Sequence, residues 1–292
     1  MGVLQNKIDF TLLISVTHAN PNGDPLADNR PRESWDGYGE ISDVCIKRKI
    51  RNRLQDMGER IFVQSADRCD DGCTSLKARA EADTALAAVT KGKNTNSSEY
   101  AEIACKEWID VRSFGQLFAF KGSSKESSGV SVGIKGPVTI NTGVSIDPIN
   151  NLSMQITKSV NGAETKDGKA SDTMGMKHYV DFGVYVVHGS INCQLAEKTG
   201  FTEEDAEKIK QALLTLFEND ESSARPAGSM EVCGLYWWAH SGKTSKWTSA
   251  QVHRAVTVEK KQGVDRPRSV KDYTVNVAEL DGLSCEKYES LI

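Results

Sequence analysis

The pattern of apolar and polar positions predicts a strand, a loop and a helix at the start of the chain. Residues 8–16 are rich in β-branched and aromatic side chains, which is typical of a largely buried strand. Residues 17–40 contain three prolines, several glycines and many Asp and Asn residues, so we expect a loop there. An amphipathic helix follows, with Ser42 as its N-cap. Its apolar stripe is Ile46, Ile50, Leu54, Met57 and Ile61.

The remaining pattern predicts an insertion, a second helix and further strands. Helix-like segments at 75–89 and 100–109 interrupt the strand pattern and indicate an insertion. A second amphipathic helix is predicted at 203–218, with Thr202 as its cap and three acidic residues in its first turn. Strands are predicted near 112–120, 130–146, 152–160, 179–193, 232–240, 254–259 and 273–277, with a polar loop at 162–171.

The order of these elements predicts an α+β fold. Strand, helix, strands, helix, strand is the order of the ferredoxin-like or RNA-recognition-motif (RRM) core, β-α-β-β-α-β, here with long insertions. We expect a first strand and basic helix over 1–61 and insertions with returning strands over 62–160. A loop or hairpin over 161–178 precedes the rest of the core, with the acidic helix and the C-terminal strands, over 179–292.

Composition excludes several classes of protein. The chain has 292 residues, a net charge of −4 and 38% hydrophobic residues, as a globular protein does. No apolar run approaches the ~18–20 residues of a membrane helix, and the N-terminus lacks a signal-peptide core, so we expect a cytoplasmic protein. Seven cysteines, an odd number, indicate reduced thiols. Cys69 and Cys73 form a close pair, but a structural zinc site usually has two such pairs, so we expect no metal and no cofactor.

Five cations within seven positions make the first helix unusual in an acidic chain. They are Lys47, Arg48, Lys49, Arg51 and Arg53. In a helix, the first and fourth of these flank the apolar stripe on one side, and the third and fifth flank it on the other. Residues 46–60 contain six cations but only two carboxylates, too few for the salt bridges of an ordinary exposed helix. We therefore predict two open cationic edges that bind nucleic-acid phosphates. The acidic helix 203–218 would then face away from the nucleic acid, toward solvent or another subunit.

The loop before the basic helix carries the sequence Asn20-Pro-Asn-Gly-Asp-Pro25, which suits a tight turn. Exposed amides in such a turn can cradle a phosphate or bond to bases, and the alternative is a polar turn without a ligand. The candidates here are His18, Asn20, Asn22 and Gly23. Arg112 and Arg225 are further phosphate candidates, with a surface salt bridge as the alternative for each.

These motifs together resemble the backbone subunit of type I CRISPR surveillance complexes (Cascade), especially type I-C, within the RAMP superfamily. The Asn-Pro-Asn-Gly-Asp-Pro loop and the basic helix carry the resemblance. Further matches are Asp110-Val-Arg-Ser-Phe-Gly115, Met174-Gly-Met-Lys-His178, the strand 183–189, and Ser223-Ala-Arg225 before Gly234-Leu-Tyr236. They occur in the expected order over roughly residues 8–240. The chain has Met176 where the family pattern often has Arg.

The resemblance implies a hand-shaped subunit with an RRM-like palm, finger-like insertions and a thumb hairpin. It implies copies arranged head to tail along a guide RNA (crRNA), each thumb displacing a base held by its neighbour. Met174 and Met176 are the candidates for the displacing wedge, with ordinary core methionines as the alternative, and Lys177 and His178 are the polar contacts of the segment. The implied partners are crRNA, target DNA through the guide, further copies, a crRNA-processing cap subunit and a large subunit.

Two other functions stay open at this point. Backbone subunits of the related type III complexes cut RNA with an acidic residue near the first helix, and Asp24 or Asp36, with His18 close in sequence, fits that position. The other alternative is a generic interaction domain without nucleic acid. The resemblance to type I subunits predicts no enzymatic activity and no catalytic residues.

Overall fold

The structure is a computed structural model that describes residues 2–90, 96–121, 129–157 and 174–289. The strands are β1 (Ile8–Ala19), β2 (Gly23–Asp24), β3 (Arg30–Pro31), β4 (Tyr38–Ile41), β5 (Gly115–Phe120), β6 (Val130–Lys135), β7 (Val138–Ile140), β8 (Gly143–Pro148), β9 (Asn151–Thr157), β10 (Met174–Ile191), β11 (Met230–Ala239), β12 (Val256–Lys260), β13 (Tyr273–Val277) and β14 (Glu286–Glu289). The α-helices are α1 (Asp43–Asp56), α2 (Leu76–Ala82), α3 (Thr84–Thr90), α4 (Ser97–Glu107), α5 (Ile109–Phe114), α6 (Cys193–Thr199), α7 (Glu203–Leu214) and α8 (Ser249–His253). Short 3-10 turns lie at Ala66–Arg68 and Val270–Asp272.

A central antiparallel sheet organises this mixed α/β fold. Its strand order is β14-β11-β1-β10-β8-β4. The interior strand β1 pairs with β10 from Ile8↔Ile191 to Ala19↔Val180, and with β11 on its other side. The other edge of β10 pairs in turn with β9, β8 and β7. The long strand β10 therefore holds the sheet together along its whole length.

Both faces of the sheet are covered, which explains why β1 is buried almost throughout. Phe10, Leu12 and Ile14 lie in one core with the apolar stripes of α1 and α7. Leu13 points to the opposite face, where it lies in a second core with Trp238 and residues of α8, β12 and β13. Alternate β1 side chains thus enter different cores, as the period of a strand requires.

The segment after α1 forms a third core of its own. The Phe62 ring lies 4.8 Å from the ring of Trp108 and 4.9 Å from that of Phe118, and Tyr100 packs edge-on against Phe118 at 5.1 Å. Residues of α2, α3, α4 and β6 complete this core. A separate core is what an insertion needs in order to be stable beside the sheet. The predicted limits of the insertion, 62–160, stay a prediction.

The predicted mixture of helices and strands around a sheet is confirmed, but several boundaries are wrong. Residues 109–114 are helical, not part of a strand beginning at 112, and 130–146 comprises three strands. The predicted helix 75–89 divides at Asp83, whose carboxylate accepts hydrogen bonds from the amides of Ala85 and Leu86 and so starts a new helix. The predicted loop 17–40 contains β2, β3 and most of β4, while α6, α8 and β14 were not predicted.

Two further comparisons concern the hairpin and the membrane. β10 begins at Met174, five residues before the predicted strand. The predicted loop 162–171 lies outside the described residues, as does most of the predicted hairpin segment 161–178. None of the helices in the described ranges combines the length and hydropathy needed to cross a bilayer.

Candidate nucleic-acid interface

Four segments meet where β1 ends, and we call this region the loop junction. It consists of the loop 18–32, the start of α1 (42–49), the first part of β10 (177–181) and the loop 220–225. The Asn20 amide donates a hydrogen bond to the Ala224 carbonyl at 2.9 Å. The Ser42 amide and hydroxyl donate to Oδ1 of Asn22 at 2.9 and 2.8 Å. The loop, the helix start and the 220–225 segment are therefore fixed to one another.

The predicted loop residues hold the loop in shape. Ser42 Oγ accepts from the Cys45 amide and donates to Asn22, so Asn22 supports the N-cap of α1. Asn20 is buried and its Nδ2 donates to the Asn29 carbonyl at 2.7 Å. A Cβ added to Gly23 would collide with the Asn29 side chain, which would have to move. This tightly packed turn leaves the Asn20 and Asn22 side chains engaged within the protein.

The Asp220 carboxylate forms ion pairs with two of the predicted RNA-binding cations, Lys49 and Arg225. Lys49 is only 5% exposed, and its Nζ bonds to Asp220 and lies 5.5 Å from the centre of the Phe217 ring. Nε of Arg225 donates to the same carboxylate at 3.1 Å. Burial lowers the pKa of Lys49, while the Asp220 carboxylate acts in the opposite direction.

The other cations of α1 also have partners. Nε of Arg51 donates to Asp110 Oδ2 at 3.0 Å, and its guanidinium lies over the Phe114 ring. Arg53 donates to the Thr215 hydroxyl and to Glu218, both at 2.7 Å. Nη1 of Arg48 donates to the Val63 carbonyl at 2.6 Å, and burial lowers the pKa of Arg48. Lys47 forms a partly exposed pair with Asp43 at 3.0 Å.

The prediction of two open cationic edges on α1 is therefore wrong for the free chain. The carboxylates that neutralise Lys49, Arg51 and Arg53 come from distant parts of the sequence, so counting charges within 46–60 missed them. Whether the acidic helix 203–218 faces away from bound RNA stays a prediction. Residues of α7 contact α1, and Lys208 of α7 pairs with Glu59 just after α1 at 2.8 Å. Whether these cations bind RNA stays a prediction.

Arg112 lies away from the loop junction. Its guanidinium donates to both oxygens of Asp205, at 3.0 and 2.7 Å, at the start of α7. Burial alone would raise the pKa of Asp205, but the hydrogen bonds from Arg112 and Thr202 outweigh it, so the pKa lies below its usual value. Thr202 forms an isolated antiparallel β-bridge with Val3, which precedes β1. The structure thus places Arg112 near the opposite end of β1 from the other candidates.

The histidines and the lysine near the start of β10 differ in access. His18 is 67% exposed and its Nε2 lies 3.1 Å from Asp181 Oδ1. His178 is buried, with its Nδ1 2.8 Å from the Ser153 hydroxyl. Lys177 is half-buried opposite Met154 and, among the described residues, forms no hydrogen bond or ion pair. His18 and Lys177 are therefore available to a ligand, and His178 is not.

The β9–β10 hairpin exposes large apolar side chains. Met174 and Met176 are 64% and 55% exposed and lie on one face, as residues two apart on a strand must. Met154 and Ile156 are 49% and 48% exposed and share the other face, opposite Lys177 and Gly175. The alternative that Met174 and Met176 are ordinary core methionines is excluded.

The groups proposed for RNA cleavage are not brought together. Asp24 Oδ1 accepts from the Leu26 amide at 3.0 Å and lies 3.4 Å from Arg32 Nη2, as a turn-forming aspartate does. His18 pairs with Asp181, and Asp36 accepts from the Ser34 hydroxyl. Within the described ranges, no group of three or more His, Cys, Asp or Glu side chains is arranged to hold a metal ion.

One residue of the loop junction was missed. Arg32 is 36% exposed and, with Lys49 and Arg225, lies close enough to Cys45 for its charge to act on that thiol. Burial nevertheless raises the pKa of Cys45. The sequence signal for Arg32 was its place in the loop between β1 and α1, beside the predicted turn. The three cations and the Asp220 carboxylate thus all act on the first turn of α1.

Comparison with known proteins identifies the family to which this chain belongs. The family profile described as "CRISPR-associated protein Cas7" matches residues 6–278. The chain belongs to the Cas7 family. A CRISPR-associated protein Cas7 from Haloferax volcanii is 24% identical over 235 residues, which are 76% of this chain and 67% of that protein.

Two solved structures resemble this Cas7-family chain. One is titled "CRISPR RNA-guided surveillance complex, pre-nicking", with a TM-score of 0.49, 16% identity, and coverage of 80% of this chain and 75% of that chain. The other is titled "CRISPR RNA-guided surveillance complex", with a TM-score of 0.45, 14% identity, and coverage of 80% and 68%. Both TM-scores lie below 0.5, and the family assignment rests on the profile alone.

Proposed function

We propose that this Cas7-family chain is a backbone subunit that binds crRNA without reading its sequence. Copies of it would assemble head to tail along the guide and present the guide for pairing with target DNA. The observation that carries the proposal is the loop junction of this Cas7-family chain. There the backbones of Arg32 and of Ala224, next to Arg225, are hydrogen-bonded to the Asn20–Asn22 turn that holds Ser42 at the start of α1. Phosphate contacts of this kind give affinity but no sequence information.

The start of α1 suits a phosphate for two reasons. A helix N-terminus carries a partial positive charge, and α1 is 14 residues long. Arg32 and Arg225 are 36% and 29% exposed, so each can leave its carboxylate and turn toward an incoming phosphate. Lys47, one turn further along, is also partly exposed. We assign phosphate binding to Arg32, Arg225 and Lys47, and also to His18 on β1 and Lys177 on β10.

The exposed methionines of the β9–β10 hairpin supply the second part of the proposal. Apolar side chains can insert between bases and unstack them without reading their edges. Met174 and Met176 are more than half exposed on one face of the hairpin. We assign them the role of the wedge that displaces a base. That the wedge acts on RNA held by the neighbouring copy follows from the family resemblance.

Finer features of the resemblance belong to the same proposal. The order β11-β1-β10-β8, with α1 after β1 and α7 after β10, supports an RRM-like palm, and the separate core around Phe118 supports finger-like insertions. We further propose that the subunit belongs to a type I-C complex, works in the cytoplasm and has no enzymatic activity. Its other partners would be a crRNA-processing cap subunit and a large subunit.

Binding of guide RNA at graded salt concentrations tests the proposal. We expect the chain to retain RNA of any spacer sequence at low salt and to lose it steeply as salt rises. Arg225→Ala and Arg32→Ala should weaken binding equally for all sequences and lower the salt slope by about one each. Lys287→Ala, an exposed cation on the edge strand β14, is the matched control and should change neither. Failure to bind RNA at low salt, or losses that depend on sequence, would overturn the proposal.

A further inference from the structure

The segment between β12 and β13, residues 261–272, carries four cations, and we call it the 261–272 loop. Three of them, Lys261, Arg268 and Lys271, are exposed. Across the part of the chain that the structure describes, none of these three side chains forms a hydrogen bond or an ion pair. Most cations of α1, in contrast, are paired with carboxylates. A ligand can therefore reach the three cations of the loop without first breaking an ion pair.

The two carboxylates of the 261–272 loop do not neutralise these cations. Asp272 accepts hydrogen bonds from the amides of Arg268 and Ser269, at 2.7 and 3.0 Å, so its charge serves the backbone as in a capping box. Asp265 is exposed, and within the described ranges its carboxylate has no partner. Adding the two charged residues just before the loop, one of each sign, does not alter the surplus of positive charge.

The backbone of the 261–272 loop is held in place by hydrogen bonds. The Lys261 amide donates to the Asp272 carbonyl at 2.8 Å, which closes the loop, and the Val264 amide donates to the Lys261 carbonyl at 3.2 Å. The hydroxyl of Tyr273, the first residue after the loop, donates to Asp147 on β8 at 2.7 Å. Because the backbone is already ordered, binding a ligand costs less conformational entropy than ordering a flexible loop would.

Asp181 connects the 261–272 loop to the loop junction. Its Oδ2 accepts from Arg266 Nη2 at 2.8 Å, and its Oδ1 lies 3.1 Å from Nε2 of His18. Asp181 lies beside the C-terminal end of β1, because its neighbour Val180 pairs with Ala19. The 261–272 loop and the loop junction therefore meet at the same end of the central sheet.

The two regions approach that end from opposite faces of the sheet. The helix α1 packs into the core around Phe10, whereas β12 and β13 pack into the core around Trp238. Where the regions meet, the His18 ring lies 5.6 Å from the ring of the half-buried Tyr179. Proteins that bind single strands combine cations along the backbone with aromatic rings on which bases stack. Aromatic rings beside free cations therefore favour a nucleic-acid strand over an acidic protein surface as the occupant.

We propose that the three free cations of the 261–272 loop bind the sugar–phosphate backbone of a nucleic-acid strand that passes His18 and Tyr179. The ligand is a phosphodiester backbone, and its two sources are the guide RNA itself and the DNA strand paired with the guide. The inference rests on the proposed function and adds a site outside the loop junction. Contacts to phosphates carry no sequence information, as a subunit that holds any guide requires.

The first test removes the three free cations together, in the variant Lys261→Ala, Arg268→Ala, Lys271→Ala. We expect binding of one of the two strands to weaken about tenfold or more at about 0.1 M salt, and the slope of log affinity against log salt to fall by about two. The urea midpoint should stay that of the wild type, because these side chains are exposed. The matched control is Lys106→Ala, Lys198→Ala, Lys287→Ala, which removes equal charge from exposed cations elsewhere and should change neither quantity.

Two affinities distinguish the sources of the strand. One is the affinity of the chain for a guide RNA that holds a single copy, and the other is the affinity of that complex for complementary DNA. A loss in the first assigns the site to the guide, and a loss in the second alone assigns it to the target strand. Unchanged values in both would overturn the inference, and fewer copies on a long guide would then indicate a protein contact. Absence of RNA binding by the wild-type chain would overturn the proposed function as well.

The variant Asp265→Asn gives a test of opposite sign. It removes the unpaired carboxylate of the loop and keeps the backbone carbonyl that accepts from Lys260 at 3.1 Å. We expect about threefold tighter binding of the same strand, because a charge that repels phosphates is lost. A variant that merely disturbed the loop would bind more weakly or equally well, and either result would contradict the inference.

Discussion

The basic helix α1 and the β9–β10 hairpin invert the expectation that charge is exposed and apolar surface is buried. On α1, Lys49 is 5% exposed and Arg51 13%, each bonded to a carboxylate from a distant segment. On the hairpin, Met174 and Met176 are 64% and 55% exposed. Much of the charge on α1 thus stabilises the chain itself, while the hairpin leaves apolar surface free for a partner. A cluster of cations in a sequence is therefore weak evidence of an open binding surface until its carboxylates are located.

The strongest test of this contrast is Asp110→Ala. Asp110 is 1% exposed and accepts from Arg51, from the Phe62 amide at 2.8 Å and from the Val63 amide at 3.1 Å. Its removal leaves a partly buried cation and two amides without an acceptor, so we expect the free energy of unfolding to fall by about 3–5 kcal/mol. Urea denaturation measures this change. A loss below ~1 kcal/mol would mean that Arg51 does not depend on this partner.

A smaller loss is expected for Lys49→Met. The methionine keeps the apolar stem against Phe217 but leaves Asp220 with Arg225 as its remaining partner, so we expect a loss of about 1–3 kcal/mol in unfolding free energy. RNA affinity of the folded variant should change less than with Arg225→Ala. If Lys49→Met weakens RNA binding more than Arg225→Ala and leaves stability unchanged, Lys49 is a ligand contact and the contrast fails.

The smallest effect on stability is expected at the hairpin. The double variant Met174→Ser, Met176→Ser removes exposed side chains, so we expect the unfolding free energy to stay within about 0.5 kcal/mol. The periodic reactivity of guide bases toward chemical probes should become uniform, because the wedge is lost. Val144→Ser, an exposed apolar position on β8, is the matched control and should keep the pattern. An unchanged pattern in the double variant would show that other residues displace the bases.

Sequence reasoning succeeded where local pattern decides the structure. The Ser42 cap, the buried strand at 8–16 and the stripe positions Ile46, Ile50 and Leu54 follow from spacing and residue type, and all are present. The predicted stripe positions Met57 and Ile61 lie beyond the end of α1. Sequence reasoning failed where distant segments decide. The residues near α1 in the sequence do not indicate that its cations pair with Asp110, Glu218 and Asp220.

The place of β1 in the sheet determines when this protein can fold. β1 is synthesised first, but its two partners are residues 174–191 and 230–239. At ~5–20 residues per second, the ribosome needs about 10–40 s after β1 to complete β11. Until β10 is complete, β1, which is almost wholly buried in the folded chain, has no partner strand, while the core around Phe62 and Phe118 can already form. Because an unpaired strand can add to strands of other chains, β1 is open to pairing with other nascent chains until β10 has been synthesised.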